Sequence, residues 1–224
     1  MNFISLEFLL FLCVVIAVYF VFPQKFRWII LTVASAVFYF FAGWSYFLFL
    51  VGVITVTYLS GLWIGAIDKS QKRYFDDNAE LTKDRKNIRK KRDNKRKKII
   101  CVVTVCLEIG VLVGLKYLNM IIAGIEAFAG LFGNPVTSGT LTLFLPLGMS
   151  FYLFKSLGYV IDVYRSTSLP QTNYFKYFLF IAYFPSLLQG PIERYENMAP
   201  QLYAGKDITA ENFSTGAERM LIGF

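Results

Sequence analysis

Tyr152, Lys155, Tyr159 and Asp162 advance along the chain by three, four and three residues. On a helix this spacing draws them into one stripe with Ser156 beside it, while Phe, Leu, Val and Ile occupy the other side. Each charge placed at membrane depth costs roughly 2.5 to 3.5 kcal/mol on insertion scales, so the stripe is expected to face a polar cavity or a polar partner. Two chemistries follow. The four side chains line a buried polar space in a helical bundle, or Lys155 and Asp162 neutralise charges on other helices, with Arg165 at the interface.

A second group lies at 189 to 194. Gly190-Pro191 breaks a helix and frees backbone groups beside Gln189, Glu193 and Arg194. That combination suits a polar or anionic ligand, and it also suits a connecting turn with interfacial charges. Chemistry of two other kinds is excluded. The chain has no histidine, which rules out a Cys/His zinc site and any general base made from an imidazole of this chain. Its three cysteines, Cys13, Cys101 and Cys106, sit in apolar runs without a Cys-x-x-Cys pair and read as core residues, so no metal is expected.

The elements that must position these residues are membrane helices. Of 224 residues, 56% are hydrophobic and 18% aromatic, well above an ordinary soluble domain. The run Ile4 to Phe22 is long enough to cross a hydrocarbon core of about 30 Å and lacks the flanks of a cleaved signal. Trp28 to Phe41, Trp44 to Ile67, Ile99 to Tyr117 and Leu141 to Tyr164 are further expected spans. The last begins broken or re-entrant at Pro146 and Gly148. Tyr174 to Gln189 is a weaker candidate, and Ala210 onward reads as the first turns of another helix. The fold class is therefore all-α, a polytopic helical membrane protein. Three regions are expected: three N-terminal spans in 1–67, a basic loop over 68–98, and the start of a helical core over 99–224 that breaks off inside a helix, as in a fragment.

The interval 68–98 holds fourteen Lys/Arg against six acids, a surplus equal to the net charge of the whole chain, +8. The positive-inside rule places this interval in the cytoplasm and the N-terminus outside, which also puts Lys25, Arg27 and Arg165 inside. The interval lacks interleaved aromatics and lies between two membrane helices, so nucleic acid is not an expected partner. Anionic membrane lipid is. Gly61 with Gly65, and Gly110 with Gly114, form Gly-x-x-x-Gly patterns that allow close helix approach.

Two long motifs, "PLGMSFYLFKSLGYVIDVYR" at 146–165 and "FPSLLQGPIERYENMAPQL" at 184–202, resemble the membrane-bound O-acyltransferase family. The branch they resemble includes alginate O-acetyltransferases and teichoic-acid D-alanyl transfer proteins. The N-terminal helices, the basic interval and "GLKYLNM" at 114–120 are similar to that family as well. Lys155 stands where relatives often carry glutamine, and Ser186, Gln189 and Glu193 differ from the commonest residues of the second motif. The resemblance implies an incomplete bundle of this family's type in a bacterial plasma membrane. It implies transfer of an acyl group, such as acetyl, from acetyl-CoA or an acylated carrier at the cytoplasmic face. The implied acceptor is a hydroxyl of an extracytoplasmic polysaccharide or an accessory acyltransferase protein. No cofactor is expected to stay bound. The family's essential histidine is absent, so the resemblance gives this chain no catalytic residue. Tyr152, Lys155, Tyr159 and Asp162 are expected in a polar cavity, and Gln189, Gly190, Pro191 and Arg194 at a helix break near the donor or tunnel. A transporter or channel, or a membrane assembly subunit, is the alternative.

Overall fold

Apolar runs punctuated by Pro23, Gly43 and Gly148 become helices with short joints. The computed structural model describes residues 6–78, 80, 82–131, 146, 148–186, 193–205, 214–216 and 218. Eight α-helices follow in order: α1 Leu6–Val21, α2 Gln24–Ala42, α3 Trp44–Asp77, α4 Lys83–Lys116, α5 Leu118–Leu131, α6 Met149–Tyr164, α7 Tyr174–Ala182 and α8 Tyr195–Ala204. A 3₁₀ turn, Phe184–Ser186, follows α7. Among the described residues there is no strand.

Three helices, α2, α3 and α4, are long and apolar enough to cross a membrane. α1 is as apolar, but its 16 residues span about 24 Å. The outward faces of these helices expose Val33, Phe41, Trp44, Trp63 and Val103, as lipid-facing surfaces do. Gly43 joins α2 to α3 at φ 150°, a conformation open to glycine, and its N–H caps the carbonyls of Tyr39 and Phe40. With so short a joint the two helices run antiparallel, so the start of α2 and the middle of α3 lie at the same end of the bundle.

The charged interval 68–98 differs from the expected loop. α3 continues to Asp77 and α4 begins at Lys83, so most of the interval is a helical hairpin extending the two membrane helices. Its charges are spaced to support the helices: Asp93 accepts from Arg89 at 2.9 Å, four residues earlier, and Lys97 reaches across to Asp68 at 2.6 Å. Arg89 also lies over the Tyr74 ring, 4.8 Å from its centroid.

Three further differences concern the core. α5 is a helix that the apolar spans did not include. α6 begins at Met149, where Gly148 adopts φ 68°, while 141–145 and 147 lie outside the described residues. α7 covers nine residues, about 13 Å, too short to cross a membrane. Asn173 starts it by accepting from the N–H groups of Phe175 and Lys176. Pro185, which lacks an N–H, stands just beyond its end.

The glycine patterns divide. A Cβ on Gly61 would come within 2.8 Å of Tyr159, and one on Gly65 would run into the ring of Pro170. Here α6 and the segment after it approach α3 closely. Gly110 and Gly114 have nothing within 4 Å of such a Cβ.

Candidate functional site

α6 is the centre of the described bundle, packed against α3, α4, α7 and α8. Tyr152, Lys155, Ser156, Tyr159 and Asp162 are all buried. The stripe meets a different partner at each turn. Tyr152 lies beside Tyr39 of α2, with ring centroids 6.5 Å apart, and Phe49 of α3. The hydroxyls of Tyr39 and Tyr152 are buried and unpartnered among the described residues.

One turn on, the Lys155 ammonium donates to Ser186 Oγ at 2.7 Å, and less closely to the Phe180 carbonyl at 3.4 Å and Met198 Sδ at 3.5 Å. It also faces the Phe180 ring, 5.4 Å from its centroid. Lys155 thus ties α6 to α7, the 3₁₀ turn and α8. Ser186 Oγ donates in turn to the Tyr183 carbonyl at 3.2 Å.

Tyr159 sits in an aromatic cluster with Tyr177 and Tyr195, at centroid distances of 4.5 and 5.1 Å. Its hydroxyl accepts from the Gln171 N–H at 2.9 Å, and Gln171 Nε2 donates to the Tyr195 hydroxyl at 2.8 Å. Asp162 closes α6, its main-chain carbonyl accepting from Thr167 and Ser168. Arg194 is exposed at the start of α8. Gln189, Gly190 and Pro191 lie outside the described residues.

Beside the stripe, α6 meets a carboxylate that the sequence reading did not single out. Ser156 donates to both oxygens of Glu108 at 3.0 Å, and Glu108 is 2% exposed on α4. Its signal was present: one acid inside the apolar run Ile99 to Tyr117 is an intramembrane charge. The polar seam continues between helices. Ser60 and Thr104 share a hydrogen bond of 2.8 Å between α3 and α4, and Tyr177 donates to Thr57 at 2.9 Å between α7 and α3.

Ser186 also lines an open cleft of about 580 Å³. Apolar side chains of α1, including Leu12, Val15 and Ile16, form one wall, Met198, Gln201 and Leu202 of α8 form another, and Glu193 lines the cleft as well. Tyr19 and Phe20 place the cleft toward the end of the bundle where α2 starts. Gly205 after α8 packs at that end too, since a Cβ there would lie 2.7 Å from the Gln24 carbonyl oxygen.

The helices and this seam define a multi-pass helical membrane protein with polar side chains buried between its helices. The chain is 30% identical to a probable alginate O-acetylase AlgI of Pseudomonas syringae pv. tomato, over 96% of this chain and 37% of that protein. It is 32% identical to the probable alginate O-acetylase AlgI of Azotobacter vinelandii, over 96% of this chain and 38% of that protein. A peptidoglycan O-acetyltransferase of Helicobacter pylori is 30% identical over 28% of this chain and 16% of that protein. No family model matches the chain, and no solved structure matches it. The likeness to proteins named as alginate O-acetylases runs along nearly the whole chain and agrees with its resemblance to the membrane-bound O-acyltransferase family. It spans less than two fifths of the length of the alginate O-acetylases it matches.

Proposed function

We propose that this chain is part of a membrane O-acetyltransferase that moves an acetyl group from a thioester donor, acetyl-CoA or an acylated carrier, to a hydroxyl of a polymer outside the membrane. The observation that carries the reading is similarity along 96% of the chain to proteins named as alginate O-acetylases. The short match to a protein named as a peptidoglycan O-acetyltransferase supports the same transfer onto a different polymer, so the acceptor is taken as a cell-surface polysaccharide, reached directly or through an accessory acyltransferase protein.

The physical requirements of the reaction fit the bundle. Acyl transfer across a membrane needs a place where a water-soluble thioester and a hydroxyl meet without bulk water, and α6 supplies polar groups at membrane depth. Tyr152, Lys155, Tyr159 and Asp162 are assigned to shaping that interior, and Gln189, Gly190, Pro191 and Arg194 to the helix break beside the donor path. The basic hairpin of 68–98 faces the cytoplasm, where its field gathers an anionic donor. The general base that takes the acceptor's proton, a step contributing ~10² to 10⁴-fold, is a histidine outside these 224 residues, which contain none.

The test is made in the organism that carries the gene. Base-labile acetate on exported polysaccharide is measured with the gene intact, deleted and restored. Loss on deletion and recovery on restoration are expected. Unchanged acetate on every exported polymer overturns the reading.

A further inference from the structure

Lys155 and Ser186 are separated by 31 residues, yet the fold brings Nζ to within 2.7 Å of Oγ. The lysine is 3% exposed; besides Ser186 it contacts a carbonyl, a thioether and an aromatic face, and the Glu193 carboxylate is close enough to interact with it electrostatically. The serine is half-buried and opens on the 580 Å³ cleft. The arrangement is therefore directional: an amine behind, a hydroxyl in the middle, and a space large enough for an acyl group and part of its carrier in front.

We infer that Ser186 and Lys155 form a nucleophile and base pair, in which Ser186 accepts the acyl group as an ester before it reaches the final hydroxyl. This deepens the proposed acetyl transfer and rests on it for the identity of the donor, a thioester. Serine is a weak nucleophile unless a base sits within hydrogen-bond reach, and lysine serves in that role in Ser-Lys dyads. The dyad acts with Lys155 as the free amine. A rotation of the hydroxyl away from the Tyr183 carbonyl then turns the Ser186 O–H toward Nζ.

The Ser186 proton passes to the Lys155 amine as Oγ bonds to the thioester carbonyl carbon. The carbon–sulfur bond breaks, and the proton on Nζ leaves with the sulfur as a thiol. The acceptor oxygen then bonds to the same carbon and the Oγ–carbon bond breaks. The acceptor's proton, taken up by the general base, returns to Oγ. Donor and acceptor need not be bound together, which suits substrates arriving from opposite faces of a membrane.

The cleft lies toward the end of the bundle where α2 starts, the same end from which the basic hairpin extends. A thioester gathered by that hairpin thus arrives on the side where Ser186 opens.

The test uses the full chain in lipid nanodiscs and reagents that do not depend on donor identity. It is treated separately with p-nitrophenyl acetate and with a fluorophosphonate, and the adduct is located by peptide mass spectrometry. An adduct on Ser186 is expected. It is lost in Ser186→Ala and falls by at least about 100-fold in Lys155→Gln, the loss expected for removing a general base. Glutamine keeps a donor to Ser186, and an unchanged thermal midpoint shows that Lys155→Gln is folded. Labelling of Lys155 itself, equal labelling of surface serines, or labelling of Ser186 that survives Lys155→Gln each overturns the dyad. A second treatment with labelled acetyl-CoA separates the two ideas. Labelling by the activated ester without labelling by acetyl-CoA keeps the dyad and removes that donor, whereas polysaccharide acetylation that persists in Ser186→Ala cells keeps the transferase and removes the dyad.

Discussion

Ser156 on α6 and Glu108 on α4 are 48 residues apart, and the serine hydroxyl lies 3.0 Å from both carboxylate oxygens. The same hydroxyl reaches the Leu153 carbonyl at 2.8 Å, so one proton is shared among three acceptors. An acid this deeply buried depends on the partner it has. Ser156→Ala removes that partner while leaving the carboxyl in place, and is expected to cost about 1 to 3 kcal/mol. Glu108→Gln keeps an acceptor for Ser156 and should cost less. Thermal unfolding in detergent ranks the two. A Ser156→Ala protein as stable as the unmodified chain would show that the contact contributes nothing.

The four glycines of the Gly-x-x-x-Gly patterns give a second contrast. Gly61→Ala drives a methyl group into the Tyr159 ring, which is held by Tyr177, Tyr195 and the Gln171 N–H. Overpacking of this kind costs about 1 to 3 kcal/mol. Gly110→Ala and Gly114→Ala meet open space and should lie within about 0.5 kcal/mol of the unmodified chain. Equal losses at Gly61 and Gly110 would dissociate the effect from the contact with Tyr159.

What the sequence made legible depended on local spacing. The three-four-three advance of Tyr152, Lys155, Tyr159 and Asp162 is a property of one helix, and α6 is that helix, with all four buried. Pairings across the chain were not legible. Nothing local matches Glu108 to Ser156, Lys155 to Ser186, or Gly65 to Pro170, because each depends on how α6 and its continuation pack against other helices. The hairpin was misread for a different reason. A run rich in Lys and Arg suits a solvated loop by composition, yet lysine and arginine are good helix formers, and two apolar helices on either side supply the nucleus from which the charged turns propagate. α7 was misread in the other direction. Its apolar composition suits a membrane span, but the chain turns at Tyr183 and Pro185 after nine helical residues.

The pairing of Lys97 with Asp68 fastens the base of that hairpin. Lys97 is buried on α4, and Asp68, on α3, is partly exposed, so the pair is worth more than a free surface ion pair only to the extent that Lys97 loses its partner. Asp68→Ala is expected to loosen the two helices by about 1 kcal/mol. That corresponds to roughly five-fold more frequent opening. Amide hydrogen exchange over 83–98 should accelerate by that factor while exchange in α6 stays unchanged. No change in either segment would remove the pair from the forces holding the hairpin.

Orientation across the membrane can be tested from the same hairpin. Fourteen Lys/Arg in 68–98 favour the cytoplasmic face. Pro170, just after α6, packs on Gly65 of α3 near the base of the hairpin, so Arg165 and the hairpin share one end of the bundle. The joint between α2 and α3 lies at the other end. In a chain whose Cys13, Cys101 and Cys106 are replaced by serine or alanine, Lys91→Cys is expected to resist a membrane-impermeant maleimide in intact cells and to react once the cells are permeabilised. Ser45→Cys, exposed at the first turn of α3, is expected to react in intact cells. The reverse pattern would turn the bundle over, and with it the Ser186 cleft, which would then open away from a cytoplasmic thioester.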